Sequence, residues 1–262
     1  MSSNQNDILV SVDDGIARVV LNRPAKRNAV SLAMWRRLSE IFTALGKDGE
    51  VKAVVLAGAG GNFCAGADIS EFESVRSTPS DVAHYDHATE EATIAIRDFP
   101  KPTIAAISGF AMGGGCGLAL ACDFRVGDET ARIGISAARL GIVYGALDST
   151  LLYRQVGLSA AKRVLFSGKP LTFDECCAVG LIDIPAEGDA LEAATALARE
   201  FAPNAPLTLT GAKFILNTIA DGRIRESAAD VARLVEQSFA SEDYREGRRA
   251  FMEKRRPQFK GR

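Results

Sequence analysis

Gly109-Phe-Ala-Met-Gly-Gly-Gly-Cys-Gly117 is the stretch on which the reading of the fold turns. It follows an apolar segment, Thr103-Ile-Ala-Ala-Ile107, that reads as a buried strand, and runs into Leu118-Ala-Leu-Ala121, which reads as a helix. Four glycines among the five residues 113–117 sit at this strand-to-helix junction, at a cost in backbone entropy. What they offer is room: a backbone without Cβ atoms comes close to a ligand and aims its N–H groups at it. The same glycines also suit a tight turn packed beneath a neighbouring element. Taken alone, the segment leaves both readings open.

Upstream, Lys52–Gly58 is a continuous apolar strand, Ala59–Ala67 a glycine-rich loop, and Asp68 the start of a short helix. Asp81–Asp98 reads as a helix, polar over much of its surface and ended by Pro100. Ile8–Asp13 and Ile16–Asn22 flank Asp14-Gly15 as a hairpin. A polar loop, Asn22–Asn28, carries Arg23, Lys26 and Arg27. Ser31 then caps a helix with Leu32, Trp35, Leu38, Ile41, Phe42 and Leu45 at helical spacing. Downstream, Phe124–Val126 and Ala131–Ile133 are short strands, Ile142–Gly145 is a loop, and Ser149–Val156 and Ala160–Phe166 are helices. Further helices, Phe173–Val179 and Leu191–Phe201, flank a strand at Leu181–Ile184. This rhythm argues for α/β layering. Past Pro203 and Pro206 only helices remain: Leu207–Ala220, Ile224–Phe239 and the charged Glu242–Arg256. The chain divides into a core over 1–202 and a helical region over 203–262. That helical region is too small to hold a core alone, so its apolar stripes pack on the main body or on another subunit.

The 262 residues, 47% hydrophobic and 24% charged with a net charge of −2, suffice for one large core with an appendage. So small a net charge leaves no electrostatic footprint for nucleic acid or an anionic membrane as partner. Met1–Asp7 is polar, and no apolar run approaches the roughly 20 residues needed to span a bilayer, so a cytoplasmic protein is expected. Cys64, Cys116, Cys122, Cys176 and Cys177 form no Cys-x-x-Cys pair and read as free, buried thiols of a reducing compartment, not as a metal site. His84 and His87, in a polar, acidic neighbourhood, are expected in solvent.

A set of motifs appears in order along the chain: Leu21-Asn-Arg-Pro24 with Asn28-Ala29, Phe63-Cys-Ala-Gly-Ala-Asp-Ile69, Pro102–Gly109, Gly113-Gly-Gly-Cys116 with Ala121-Cys-Asp123, and Arg245-Glu-Gly247 with Phe251 and Lys254-Arg255. Together these closely resemble the enoyl-CoA hydratase/isomerase (crotonase) family over nearly the whole chain. The resemblance implies an α/β crotonase (ClpP-like) fold, a spiral of β-β-α units with a C-terminal helical trimerisation region. It implies acyl-CoA thioester substrates, with coenzyme A as part of the substrate and no separate cofactor, and assembly as homotrimers or homohexamers. By position it places an oxyanion hole on the backbone N–H groups of Ala67 and Gly114, donors aimed at charge developing on the thioester oxygen. CoA contact falls on Lys26, Arg27, Ala65, Asp68 and Ile69, with Lys254 and neighbouring Arg255 reaching a neighbour's CoA site.

The chain departs from the family pattern at the proton-transfer half of the site. The two glutamates of the family's hydratases would fall at Gly117 and Ala137, and neither residue titrates. Loss of one general acid or base costs about 10²–10⁴ in rate, so ordinary hydration should be weak. Three replacements stand open. Tyr144 lies in a segment resembling that of bacterial methylmalonyl-CoA decarboxylase, where loss of CO₂ itself makes the enolate; it orients the carboxylate or bonds the acyl group, or else is a pocket-wall aromatic. Asp148, a helical turn further on, is either a catalytic carboxylate or a helix cap. Glu90 stands twelve residues before Pro102, where some family members carry an active-site histidine; the alternative is solvent exposure. An enolate-forming acyl-CoA enzyme therefore competes with a non-catalytic acyl-CoA binder. A dinucleotide or phosphate-loop enzyme is excluded by the spacing of Gly113–Gly117 and by Pro170 after Ser167-Gly-Lys169.

Overall fold

The computed structural model describes residues 6–262; Met1–Gln5, the larger part of the polar N-terminus noted above, lie outside the described residues. β1 (Ile8–Asp13) and β2 (Ile16–Leu21) form the expected hairpin. Its turn residues, Asp14 and Gly15, both take positive φ (47° and 76°), the twist that suits a two-residue hairpin loop. The Ser31 hydroxyl accepts from Met34 N–H and opens α1 (Leu32–Lys47), which buries Met34, Trp35, Leu38, Ile41, Phe42 and Leu45. β3 (Ala53–Gly58) follows, then a short 3₁₀ turn at Ile69–Glu71, α2 (Phe72–Val75) and α3 (Pro79–Arg97). α3 begins two residues before the expected Asp81, since Asp81 is the N3 partner in a capping box with Thr78.

β4 (Thr103–Ile107) leads to a short β5 (Phe110–Met112) and then α4 (Gly114–Ala121). The helix thus starts four residues before Leu118: Gly117 N–H donates to Gly113 O at 3.0 Å and closes the first turn among the glycines themselves. β6 (Phe124–Gly127), β7 (Arg132–Gly134) and α5 (Ala137–Leu140) repeat the pattern. α6 (Ala146–Ser167) is kinked at Gly157, whose φ of 75° and ψ of 171° separate the two expected helices. α7 (Phe173–Val179) precedes β8, which is only Ile184–Pro185. The expected strand is cut short because Leu181 and Ile182 N–H both donate to Cys176 O at the end of α7. α8 (Ala190–Phe201), α9 (Pro206–Ala220), α10 (Ala228–Ala240) and α11 (Glu242–Glu253) complete the chain. α10 opens four residues later than the periodicity suggests, after turns at 224–227.

The main sheet runs β1-β2-β3-β4-β6-β8, parallel apart from the β1–β2 hairpin. Along β3 the residues alternate between two buried faces, as a covered parallel sheet requires. Val54 and Leu56 join the core beneath α1, α3 and α4, whereas Ala53, Val55 and Ala57 pack with Ala190, Ala194 and Ala198 of α8. The second strand of each repeat, β5 and β7, leaves that sheet and pairs in a separate two-stranded layer. The bridges Val30↔Ala67 and Cys64↔Ala111 extend this layer towards the loop after β3. The expected spiral of β-β-α units is therefore present, and its second layer brings two distant loops together. Among the described residues no helix is long and apolar enough to cross a membrane.

Candidate active site

Two backbone donors lie close together where these layers meet. Val30 N–H donates to Gly66 O and Asp68 N–H to Val30 O, both near 2.9 Å, which fixes the peptides on either side of Ala67. Among the described residues, the Ala67 N–H itself donates to nothing. The Gly114 N–H, at the first position of α4, is likewise unpaired, as helix N-termini leave their first donors. The two are neighbours: a Cβ built on Gly114 lies 3.8 Å from Ala67 N. That arrangement suits an oxygen acquiring negative charge at the end of a helix.

Close packing makes the pair possible. A Cβ on Gly115 would lie 2.4 Å from Cys64 O, so only glycine lets α4 approach this loop. Gly113 N–H donates to Gly134 O at 2.8 Å, and Gly113 takes a φ of 51° as the N-cap. Beneath Gly114 sits the Trp35 ring, 3.0 Å from a notional Cβ, with its Nε1–H donating to Tyr85 OH at 3.1 Å. Burial, eased by the Trp35 bond, pushes the Tyr85 phenol up to about 12. Trp35 and Tyr85 therefore form a neutral floor. Helical spacing marks Trp35 as a core residue, but nothing in the sequence pairs it with Tyr85 fifty residues on.

Gly117 gives the decisive contact. A Cβ there would meet Asp148 Oδ1, Cγ and Oδ2 at 3.1, 3.2 and 3.3 Å. The Asp148 carboxylate, carried on the first turn of α6, thus lies against the place where a side chain from residue 117 would begin. It does not cap α6: Gly145 is the N-cap, no side chain caps it, and Asp148 Oδ1 is buried without a hydrogen-bond partner. Burial, and then the charge of Glu90, raise the Asp148 carboxyl from 3.8 to about 6. Glu90 itself is exposed on α3, with no ion pair or hydrogen bond among the described residues, whereas Glu91 pairs with His87. The Tyr144 hydroxyl donates to Gly113 O at 3.1 Å, and burial followed by the Asp148 charge raises its phenol well above 10. Tyr144 is thereby tied to the glycine segment that opens α4, with its one proton engaged. Ala137 begins α5 and packs against the core; it brings no titrating group.

The residues expected to meet CoA within this chain are gathered on the adjoining rim. Lys26 Nζ reaches Asp68 Oδ2 at 2.9 Å and Ser70 Oγ at 2.8 Å, while Arg23 pairs with the same carboxylate at 2.9 Å. Burial acts to raise the Asp68 carboxyl, but the bonds from Ser70, Lys26 and Arg23 outweigh it and hold it well below the usual range. Ala65 N–H donates to Arg27 O, the Arg27 guanidinium lies 5.3 Å from the Phe110 ring centre, and Ile69 is exposed. Asn28, fully buried, donates to Ala59 O and Asn62 O and accepts from Arg23 N–H, locking this loop to the one after β3. Lys254, expected to serve a neighbouring subunit's CoA site, ends α11 in a left-handed conformation. Arg255 beside it is held by Glu246 and Glu253. The five thiols are free, with Cys177 alone half-buried, and His84 and His87 are exposed.

The sequence pattern of the enoyl-CoA hydratase/isomerase family matches residues 11–262. The chain belongs to that family. It is 35% identical to the 2,3-dehydroadipyl-CoA hydratase of Escherichia coli, over 98% of this chain and 100% of that one. With the mitochondrial methylglutaconyl-CoA hydratase of Mus musculus it shares 37% identity, covering 94% of this chain and 80% of the relative. Among solved structures, an enoyl-CoA hydratase/carnithine racemase from Magnetospirillum magneticum superposes with a TM-score of 0.93 at 32% identity, covering 99% and 97% of the two chains. The crotonase fold expected from the motifs is the fold observed, and an acyl-CoA substrate is in keeping with the family.

Proposed function

We propose that this member works on an acyl-CoA thioester through its enolate, with Asp148 moving the proton at the α-carbon. The observation that carries the reading is the Asp148 carboxylate set against Gly117, with a buried and unpartnered oxygen. A carboxyl raised to about 6 is mostly ionised at neutral pH yet basic enough to accept a proton, which is the compromise general-base catalysis favours. In the step itself, the α-C–H proton passes to Asp148 and the electron pair moves onto the thioester oxygen. The Ala67 and Gly114 N–H groups receive that charge, each such donor being worth roughly 10²–10³ in rate. Return of the proton regenerates the carboxylate.

Efficient hydration of a double bond wants a second acid, and Ala137 supplies none. Hydration of crotonyl-CoA is therefore expected to be slower by about 10²–10⁴ than with two carboxylates. Decarboxylation is the weaker reading, because the Tyr144 proton is engaged by Gly113 O. Assembly through the C-terminal helices is supported by the exposed apolar side chains of Leu216, Ile219, Phe239, Phe251 and Met252, and light scattering at micromolar chain concentration reads it directly. The test of the chemistry is hydrogen–deuterium exchange at C2 of butyryl-CoA in D₂O, followed by mass spectrometry. Exchange that disappears with Asp148→Asn is the expected result. Calorimetric binding without exchange or any other product would instead make the chain a binder.

A further inference from the structure

Resting on that acyl-CoA reading, we propose that Asp148 and Glu90 act together as a charge filter. The filter admits uncharged acyl groups and rejects those carrying a carboxylate on the α- or β-carbon. The geometry is a pair of acidic side chains on two helices, α6 and α3, that both pack against α4, with Asp148 set against Gly117; the charge of Glu90 is felt at Asp148. Among the described residues no Lys, Arg or His forms an ion pair or hydrogen bond with either carboxylate. The rim cations Arg23 and Lys26 are already held by Asp68. The Tyr144 hydroxyl gives its proton to Gly113 O.

A thioester oxygen seated on Ala67 and Gly114 puts C2 and its substituents on the Asp148 side of the loop. An acyl carboxylate there would find two negative groups and no donor. Two like charges about 5 Å apart at an effective dielectric of about 20 disfavour binding by about two powers of ten where both stay ionised, a penalty reached only about two pH units above the Asp148 value of about 6. Glu90, being exposed, contributes the smaller, salt-screened share.

The test compares two thioesters of nearly the same shape. Isobutyryl-CoA and methylmalonyl-CoA differ by a methyl in place of a carboxylate, and calorimetry gives the Kd of each. At pH 8 the wild-type chain should bind isobutyryl-CoA up to about 10²-fold more tightly, and at pH 7 only about tenfold, because protonating an Asp148 carboxyl held at about 6 relieves the repulsion. Glu90→Gln should narrow that ratio at least threefold at low salt, by improving methylmalonyl-CoA alone, and Asp148→Asn should narrow it further. Equal affinities in the wild-type chain would overturn the filter, as would a Glu90→Gln effect shared by both ligands, or release of CO₂ with formation of propionyl-CoA. If neither thioester binds, the acyl-CoA reading falls and the filter with it. If the ratio is as expected but C2 exchange is absent, the filter stands and only the proposed chemistry falls.

Discussion

Replacing Asp148 by Asn should make the chain more stable and less active at once. The folded chain holds this carboxyl at about 6 against an ordinary 3.8, so at neutral pH its ionised form weakens the fold by at most about 3 kcal/mol. Asparagine keeps the shape and removes the charge. Its amide, however, meets no ready partner where Oδ1 is now orphaned, which returns about 1–2 kcal/mol of that gain. A net stabilisation of about 1–2 kcal/mol remains, on the order of 2–6 °C in Tm for a chain of this size. The sign follows from linkage: the folded state holds the proton to higher pH than the unfolded one. The wild-type chain therefore loses stability from this group as pH rises from about 4 to about 6. The charge term relieved in the variant is then about half as large at pH 5 as at pH 7.5. Scanning fluorimetry at those two values reads it, alongside C2 exchange, which should fall by about 10²–10⁴. A variant less stable than wild type at pH 7.5, a stability gain independent of pH, or exchange retained within tenfold would refute the reasoning.

For the same exchange reaction, kcat/KM should rise with pH through about 6, because Asp148 must be ionised to take the proton. Removing the Glu90 charge in Glu90→Gln should move that limb lower; a pH–rate profile unchanged by the variant would sever the two residues. Gly114→Ala drives a Cβ to 3.0 Å from the buried Trp35 ring. Denaturant titration should show a loss of about 1–3 kcal/mol, a shift in the fluorescence of the sole tryptophan should accompany it, and activity should fall by roughly 10²–10³. Asn28→Ala leaves two carbonyls and the Arg23 N–H without their partner at a left-handed position, φ 58°. A loss of about 2–4 kcal/mol in urea unfolding is expected.

Much of the fold is legible where local physics decides it. The β1–β2 hairpin follows from Asp14-Gly15, which takes the required positive φ, and α1 follows from Ser31 with its helical stripe. Legibility fails where distant backbone intervenes. The apolar Leu181–Ile184 looks like a strand, but its first N–H groups are claimed by Cys176 O. The glycines at 113–117 look like a loop because each is a poor helix former, yet α4 runs through them since the close approach to Cys64 demands it. In the site, the Ala67 and Gly114 N–H groups proposed as oxyanion donors are found through the resemblance to the family, since the glycine run alone also suits a tight turn. Asp148 is visible as a candidate, but its nearness to Gly117 spans thirty-one residues and lies across two helices, a relation that no periodicity encodes. The absence of a carboxylate at 117 and the presence of one at 148 are one fact in space and two in sequence.

The contact between Gly117 and Asp148 also restricts how this site can change over evolutionary time. With the carboxylate of 148 only 3.1–3.3 Å from the start of any side chain at 117, the two positions compete for one volume and one charge. An acidic residue at both would crowd two anions into a buried corner; a small neutral residue at both would leave the corner without an acid. Descendants and ancestors of this chain should therefore carry the acid at one address or the other, exchanged in a pair of linked substitutions. Passage between the two states would go through an intermediate that is either overcharged or without an acid.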